Sequence, residues 1–310
     1  MQKNDFPEIM IGVDHGYKNV KTINFVFPTK LSQLKTVPDD KKGVLQISGN
    51  IYTENGEDVN YIDSSNKVSN DNFYMLTLIA IAKELKCRGL DGARINIAIG
   101  LPQRWFEAQK NSFKKYIMKH SEVHFIYEGI KYYIYFENCK VFTQGYAAFL
   151  TLEKLEEYLE RTVVVCDIGG GTVDIIPVNK GEIDHANSKI DQRGAIWLVN
   201  SIQEAAETQL YESVPEDFII NCMINKNAKE TPQNKYEKLV QSKLINYCEM
   251  IFNRLKEFRI NVNITPVIFV GGGASIIKNF GSYNLATTEF ITDIKANVKG
   301  YEMIYDLLSK

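Results

Sequence analysis

The sequence predicts an α/β protein built as two related domains. Apolar strand-like runs alternate with helix-like stretches along the whole chain, the pattern of an α/β architecture. Two segments, Ile11-Gly-Val-Asp14-His-Gly16 and Val164-Val-Cys-Asp167-Ile-Gly169, match without a gap half a chain apart. In that alignment Val20 falls opposite Val173 and Lys21 opposite Asp174. A repeat of this kind argues for two domains of similar topology. Chance is the alternative, since apolar-Asp-x-Gly turns are common. Finally, 310 residues with 45% hydrophobic content suffice for two medium domains.

The elements follow in order. Ile9 to Val13 reads as a strand running into the turn Asp14-His15-Gly16, and Val20 to Phe27 alternates as the returning strand of a hairpin. Residues 28–67 are polar and turn-rich, with short strands at Val44–Ile47 and Ile51–Thr53, and read as a small inserted subdomain. Asn70 or Asp71 caps a helix that runs to about Cys87 and stops at Gly89. Ile95–Ile99 is a buried strand, followed by a helix over Arg104–Lys119. Val123–Tyr127 and Ile130–Phe136 form a hairpin around Glu128-Gly129, then come a short strand at Lys140–Phe142 and a helix from Gln144 to Leu159. Thr162–Asp167 is a strand, Gly169-Gly170-Gly171 turns the chain, and Val173–Val178 returns. Helices are expected at Ala195–Tyr211, Lys235–Phe258 and Asp293–Leu308, with a buried strand at Pro266–Val270 leading into Gly271-Gly272-Gly273. The expected division is a first domain over 1–160, to which the helix 293–310 returns, and a second over 161–292 with an insertion at about 189–240.

Composition narrows the function classes. A formal net charge of −2 argues against a direct grip on nucleic acid, which needs a clustered basic face. The most basic stretch, Arg104 to His120, interleaves Lys110, Lys114, Lys115 and Lys119 with Trp105, Phe106, Phe113 and Ile117 at helical spacing, and reads as an amphipathic helix with a solvated basic face. The five cysteines are scattered and never paired as CxxC, which suggests neither a disulfide framework nor a zinc site and fits a reducing cytoplasm. The N-terminus has no signal-peptide core, and no run of eighteen apolar residues occurs, so no membrane association is expected.

The candidate chemistry lies in the turns. Each hairpin places a carboxylate at a strand end, Asp14 or Asp167, ahead of small residues. Glycine lets backbone N–H groups approach a phosphate closely, so Gly169-Gly170-Gly171-Thr172 reads as a phosphate cradle. Two facing cradles can grip one chain of phosphates, with Asp14 and Asp167 converging on a magnesium ion through its waters. Lys21 either reaches phosphate oxygens as a point charge or is an ordinary strand lysine. Gly271-Gly272-Gly273 either lets backbone lie against a flat ring or phosphate, or is a tight structural turn. Gln144 either orients a water or caps a helix.

Together these segments resemble the actin, heat-shock chaperone and sugar-kinase superfamily, a duplicated ribonuclease H-like fold with its nucleotide in an inter-domain cleft. That superfamily shows two phosphate turns, two connecting helices and an adenosine turn, here Asp14–Lys21, Gln144–Leu152, Asp167–Asp174, Gly271–Ala274 and Asn297–Ile304, all in the right order. Within it, Val13-Asp-His-Gly-Tyr-Lys-Asn-Val-Lys21 and Ala296-Asn-Val-Lys-Gly-Tyr301 resemble bacterial plasmid-segregating actins of the ParM type. The resemblance implies that Gly16, Asn19 and Lys21 bind phosphate from one side and Gly169 to Thr172 from the other. It implies that Asp14 and Asp167 hold magnesium and its waters, that Gln144 positions the attacking water, and that Gly271 to Gly273 pack against the adenosine of ATP, with GTP as an alternative substrate. Actins commonly carry serine where Tyr17 stands; a tyrosine there points away or reaches over the nucleotide. The resemblance further implies an ATPase that forms head-to-tail filaments and moves plasmid or phage DNA through a DNA-binding adaptor. A small-molecule kinase of the same superfamily and a scaffolding filament are the alternatives.

Overall fold

The computed structural model describes residues 3–58 and 71–309. The chain divides into two compact units, Met1–Ala147 with Asn297–Lys310, and Ala148–Ala296. Asn70, one of the two expected helix caps, and the end of the segment 28–67 lie outside the described residues.

The first unit runs β1 (Glu8–His15), β2 (Asn19–Lys21), β3 (Val26–Pro28), β4 (Lys30–Leu34), β5 (Val44–Ile47), β6 (Asn50–Asp58), α1 (Asp71–Cys87), β7 (Gly92–Leu101), α2 (Gln103–Ile117), β8 (Glu122–Tyr127), β9 (Ile130–Thr143) and α3 (Tyr146–Phe149). Among the described residues these strands form one nine-stranded sheet in the order β3-β2-β1-β7-β9-β8-β5-β6-β4. The second unit runs α4 (Glu156–Leu159), β10 (Thr162–Ile168), β11 (Val173–Asn179), β12 (Glu182–Ile183), β13 (Lys189–Asp191), α5 (Ala195–Leu210), α6 (Glu216–Asn225), α7 (Lys235–Glu257), β14 (Val267–Val270), α8 (Ala274–Phe280) and β15 (Thr288–Ile291). Its sheet has the order β12-β11-β10-β14-β15, with β13 also on β11. The last helix, α9 (Ala296–Leu307), packs with the first unit.

The two sheets share a plan. In each, a central strand is antiparallel to the next strand in sequence and parallel to the strand on its other side: β1 with β2 and β7, β10 with β11 and β14. A second parallel pair follows, β7 with β9 and β14 with β15. The registers agree at the turns: Asp14 lies opposite Lys21 and His15 opposite Val20, just as Asp167 lies opposite Asp174 and Ile168 opposite Val173. The gapless alignment of the two segments is therefore a duplication of structure.

Each sheet is a strand pattern with two buried faces. Along β7, Ile97 and Ile99 join the core under α1, while Ala98 points to the opposite face with Phe142, Val298, Tyr301 and Tyr305. The helix α1 is apolar on nearly every side and buried to match, with Leu76, Leu78, Ile79, Ile81 and Leu85 at zero exposure. In the second unit Val164, Cys166 and Ile168 of β10 meet Ile202 of α5, Leu244 and Ile251 of α7 and Ile277 of α8. Each such side chain contributes about 1.5–3 kcal/mol when fully buried.

Four expectations need correction. The segment Val20–Phe27 is two short strands, because Thr22 N–H bonds Phe25 O and Phe25 N–H bonds the Thr22 hydroxyl, which turns the chain. The strands at Ile130–Phe136 and Lys140–Phe142 are one, β9, carried through by a register shift opposite Ile95 and Asn96 on β7. The helix expected over Gln144–Leu159 is two single turns, α3 and α4. There the amides of Gln144 and Gly145 go to Leu101 O and Asn297 Oδ1, Thr151 bonds back to Ala148 O, and three-residue spacings such as Leu152 N–H to Phe149 O replace the α-helical ladder. The last helix starts at Ala296, where an Asx-type turn at Asp293 delivers the chain.

Candidate functional site

The first unit gathers its candidate residues around Asp14. This carboxylate stands at the end of β1, 1% exposed. Its register partner Lys21 approaches from β2, Nζ to Oδ2 at 3.1 Å. Gln144, in the turn after β9, donates its side-chain N–H to Oδ1 at 2.8 Å. Tyr301 of α9 directs its hydroxyl at the same oxygen from 3.4 Å. A carboxylate only accepts, so the amide group of Gln144 must present its NH2 to Asp14 and keep its carbonyl oxygen for another donor. The turn itself closes by Gly16 N–H to Asn19 O at 3.1 Å, and Thr29 Oγ1 donates to Gly16 O at 2.8 Å. Asn19 thus contributes its backbone carbonyl to this turn, while Tyr17 beside it is half-buried.

The second unit repeats the turn: Gly169 N–H bonds Thr172 O at 2.9 Å, the counterpart of the Gly16–Asn19 bond. Thr172 Oγ1 donates to Asp174 Oδ2 at 2.8 Å and so holds the β11 side. The start of α5 is tied to the same glycines, with Ala195 N–H on Gly169 O and Ile196 N–H on Gly170 O. A Cβ on Gly194 would lie 2.5 Å from Gly170 O and 2.7 Å from the Gly171 carbonyl carbon, so only glycine lets these backbones touch. The third glycine run closes on the same place. Gly271 has φ +85°, where a side chain is strained, and a Cβ there would stand 2.4 Å from Asp167 Oδ1. Gly273 N–H bonds Ile168 O at 3.0 Å, while Gly272 faces open space. Asp167, Gly169–Thr172 and Gly271–Gly273 therefore form one cluster around the ends of β10 and β14.

The donor set bears on the expected magnesium. Among the described residues no group of three or more His, Cys, Asp or Glu side chains could hold a metal ion. Both oxygens of Asp14 already accept bonds, one from a cation. Such residues fit an ion held chiefly by phosphate oxygens and its own waters, with protein carboxylates one layer out, and do not fit a protein cage. Among the described residues, too, no helix is long and apolar enough to cross a membrane.

The family model for the actin-like protein N-terminal domain matches residues 12–146, and that for the Alp7A C-terminal domain matches residues 162–297. The chain belongs to the actin-like proteins. No curated protein matches its sequence. Solved structures share the fold at low identity. Apo pSK41 ParM is 19% identical, with a TM-score of 0.73 and 97% of each chain covered. The Alp12 filament structure is 14% identical, with a TM-score of 0.72, covering 98% of this chain and 99% of that one. Bacillus thuringiensis ParM with ATP is 16% identical, with a TM-score of 0.70, covering 97% and 99%. The resemblance to ParM-type actins read from the turns thus holds for family and for fold.

Sequence reasoning missed several residues that pack around these turns. His15 is wholly buried rather than a turn residue: its Nε2 bonds Thr77 Oγ1 at 2.8 Å, and its ring packs edge-on against Phe73 and Phe113. Glu302 accepts Gly12 N–H at 2.9 Å, and burial pushes its carboxyl pKa up. The motif Ala296–Tyr301 serves structure as well: Asn297 Oδ1 accepts Gly145 N–H, Gly300 lets α9 sit on the backbone of Ala147, and Tyr301 occupies the space left by Gly100. Gly100 and Gly194 carried a readable signal, a glycine at the end of a strand and at the start of a helix. Thr77 and Glu302 carried none, because a polar residue on a helix does not announce which strand it will meet.

Proposed function

We propose that this protein is a nucleotide-dependent, filament-forming ATPase in which the two duplicated turns serve the phosphates of one ATP or GTP. The observation that carries the reading is the doubled hairpin: an aspartate at the end of a central strand, a backbone N–H closing the turn two residues later, and the same register across both hairpins. A structural turn needs no carboxylate at that point, and no lysine held against it.

In this reading Gly16, Asn19 and Lys21 meet the phosphates from the first unit, Tyr17 reaches over the nucleotide, and Gly169, Gly170, Gly171 and Thr172 meet the phosphates from the second. Gly271, Gly272 and Gly273 lie against the adenosine. Asp14 and Asp167 accept from the waters of magnesium, which when bound offsets the charge on the phosphates. Gln144 acts through its remaining carbonyl oxygen, which accepts a hydrogen bond from the attacking water and aims it; an amide is too weak a base to take the proton. Asp14 fixes that orientation through the 2.8 Å bond. Polymerisation draws on the fold shared with a protein solved as a filament, and ATP on the fold shared with a ParM solved with ATP. A DNA-binding adaptor then attaches plasmid or phage cargo in the cytoplasm, since the chain's net charge of −2 argues against a direct grip on DNA.

Hydrogen exchange with and without ATP and magnesium tests the shared nucleotide. Protection should appear at both Asp14–Lys21 and Gly169–Thr172, with a rise in melting temperature; a ligand at a hundredfold excess over Kd stabilises by about 2.7 kcal/mol. Protection in one hairpin alone contradicts the reading.

A further inference from the structure

Glu84 on α1 is a carboxylate with zero exposure, and both its oxygens are committed to one turn. Oε1 accepts from Thr22 Oγ1 at 2.6 Å and from the Asn24 backbone N–H at 3.0 Å. Oε2 accepts from Asn24 Nδ2 at 2.8 Å and from the guanidinium of Arg88, one helical turn on, at 2.5 Å. Burying a charge costs several kcal/mol, and an apolar residue of similar size often replaces a buried ion pair without loss. Ala80, Ile81, Ala82 and Leu85 beside it on α1 are apolar and fully buried, so core packing alone does not call for a carboxylate here.

The turn it holds begins one residue after Lys21. The same helix carries Thr77 seven residues earlier, two turns away and on the same face. Thr77 holds His15, the residue after Asp14, while its own hydroxyl proton goes to Phe73 O at 2.8 Å. One face of α1 therefore grips both arms of the first hairpin: Thr77 the β1 arm just past Asp14, Glu84 the β2 arm just past Lys21. Those two arms carry the register pair Asp14–Lys21.

We infer that Glu84 is a positioning residue for the nucleotide, fixing the β2 arm so that the ammonium of Lys21 is presented beside Asp14. The inference rests on the nucleotide reading of the first hairpin given above. It assigns Glu84 no contact with the ligand; its effect passes through Thr22 and Lys21.

The test is ATP affinity with magnesium, by calorimetry, on the full chain and four variants: Glu84→Gln, Thr22→Val, Lys21→Met, and Glu84→Gln combined with Lys21→Met. Glu84→Gln removes charge-assisted bonds and should weaken binding about tenfold. Thr22→Val keeps the shape, deletes the 2.6 Å bond to Glu84 together with the bond from Phe25 N–H, leaves the Glu84 charge in place and should weaken it in the same direction by less. Because Glu84 acts through Lys21, the double variant should bind no more weakly than Lys21→Met alone. Without nucleotide, Glu84→Gln should also speed hydrogen exchange at Thr22 and Phe25 while leaving β10 and β14 unchanged. Wild-type affinity in both Glu84→Gln and Thr22→Val overturns the inference, as do losses that multiply in the double variant, which would mark a general loss of stability. If Glu84→Gln does not fold, Thr22→Val decides by the same criterion. A wild-type chain that binds no nucleotide contradicts the nucleotide reading itself and this inference with it; a wild type that binds, with variants that bind equally, contradicts the inference alone.

Discussion

The side-chain amide of Gln144 donates to Oδ1 of Asp14 across 2.8 Å, joining the turn after β9 to the end of β1. One bond thereby connects the residue proposed to aim a water with one proposed to hold the waters of a metal ion.

Replacing Gln144 tests that pairing. Gln144→Ala should bind ATP normally, assemble, and release phosphate about ten- to a thousandfold more slowly, giving longer-lived polymer. Gln144→Glu should be worse at neutral pH, because it sets a second carboxylate against Asp14 and raises the pKa of one of them. Its activity should recover as pH falls and that carboxyl is protonated, a trend absent from Gln144→Ala. Phosphate release and polymer mass followed on one sample separate these outcomes; a wild-type rate in Gln144→Ala leaves the residue a role in the turn only.

The glycines after β14 should differ sharply. Gly271→Ala puts a methyl 2.4 Å from Asp167 Oδ1 at φ +85°. Left-handed strain and overpacking together should cost at least about 2 kcal/mol, lowering the melting temperature by several degrees. Gly272→Ala meets nothing within 4 Å and should melt close to wild type. Asp167→Ala, which creates no clash, should keep its fold and lose magnesium-dependent turnover. Thermal melts of the three variants, with phosphate release on Asp167→Ala, check this set; wild-type turnover in folded Asp167→Ala removes that residue from the site.

A pH dependence follows from Asp191 on β13. Hydrogen bonds from Arg193, assisted by Arg254, hold its carboxyl down at about 2 against the ordinary 3.8. The folded state thus prefers the charged form more than the unfolded state does. The stabilisation is complete above the unfolded value and is lost as pH falls from about 3.8 towards about 2. Asp191→Asn should therefore be less stable than wild type at neutral pH, with the gap closing across that acidic window. Denaturant melts from pH 7 to pH 2 measure it; a gap independent of pH means the loss is one of shape alone.

Much of this was legible in the sequence, and for identifiable reasons. Asp14 and Asp167 could be aligned because a short buried strand, a carboxylate and a glycine leave a local signature, and the two hairpins share their register. The glycines at 169–171 and 271–273 announced turns. What failed was whatever depended on a distant partner. The break in Val20–Phe27 comes from a turn whose outer side is clamped by Glu84, some sixty residues away, and alternation of side chains could not reveal it. Residues 144–159 read as one helix from their local sequence, yet Gly145 takes φ +72° with its N–H on Asn297 Oδ1, 152 residues away, so no helix starts at Gln144. His15 looked like a turn residue because its burial is supplied by α1 and α2, which follow much later in the chain.

Assembly is the most direct test of the central claim. Right-angle light scattering of the purified protein, across a concentration series with ATP or GTP and magnesium, should show no signal below a critical concentration and a rise above it. The signal should decay as nucleotide is consumed, with filaments visible by electron microscopy at the plateau. No polymer with either nucleotide at any concentration, together with phosphate transfer to a small-molecule acceptor, would contradict the account and assign the same turns to a kinase.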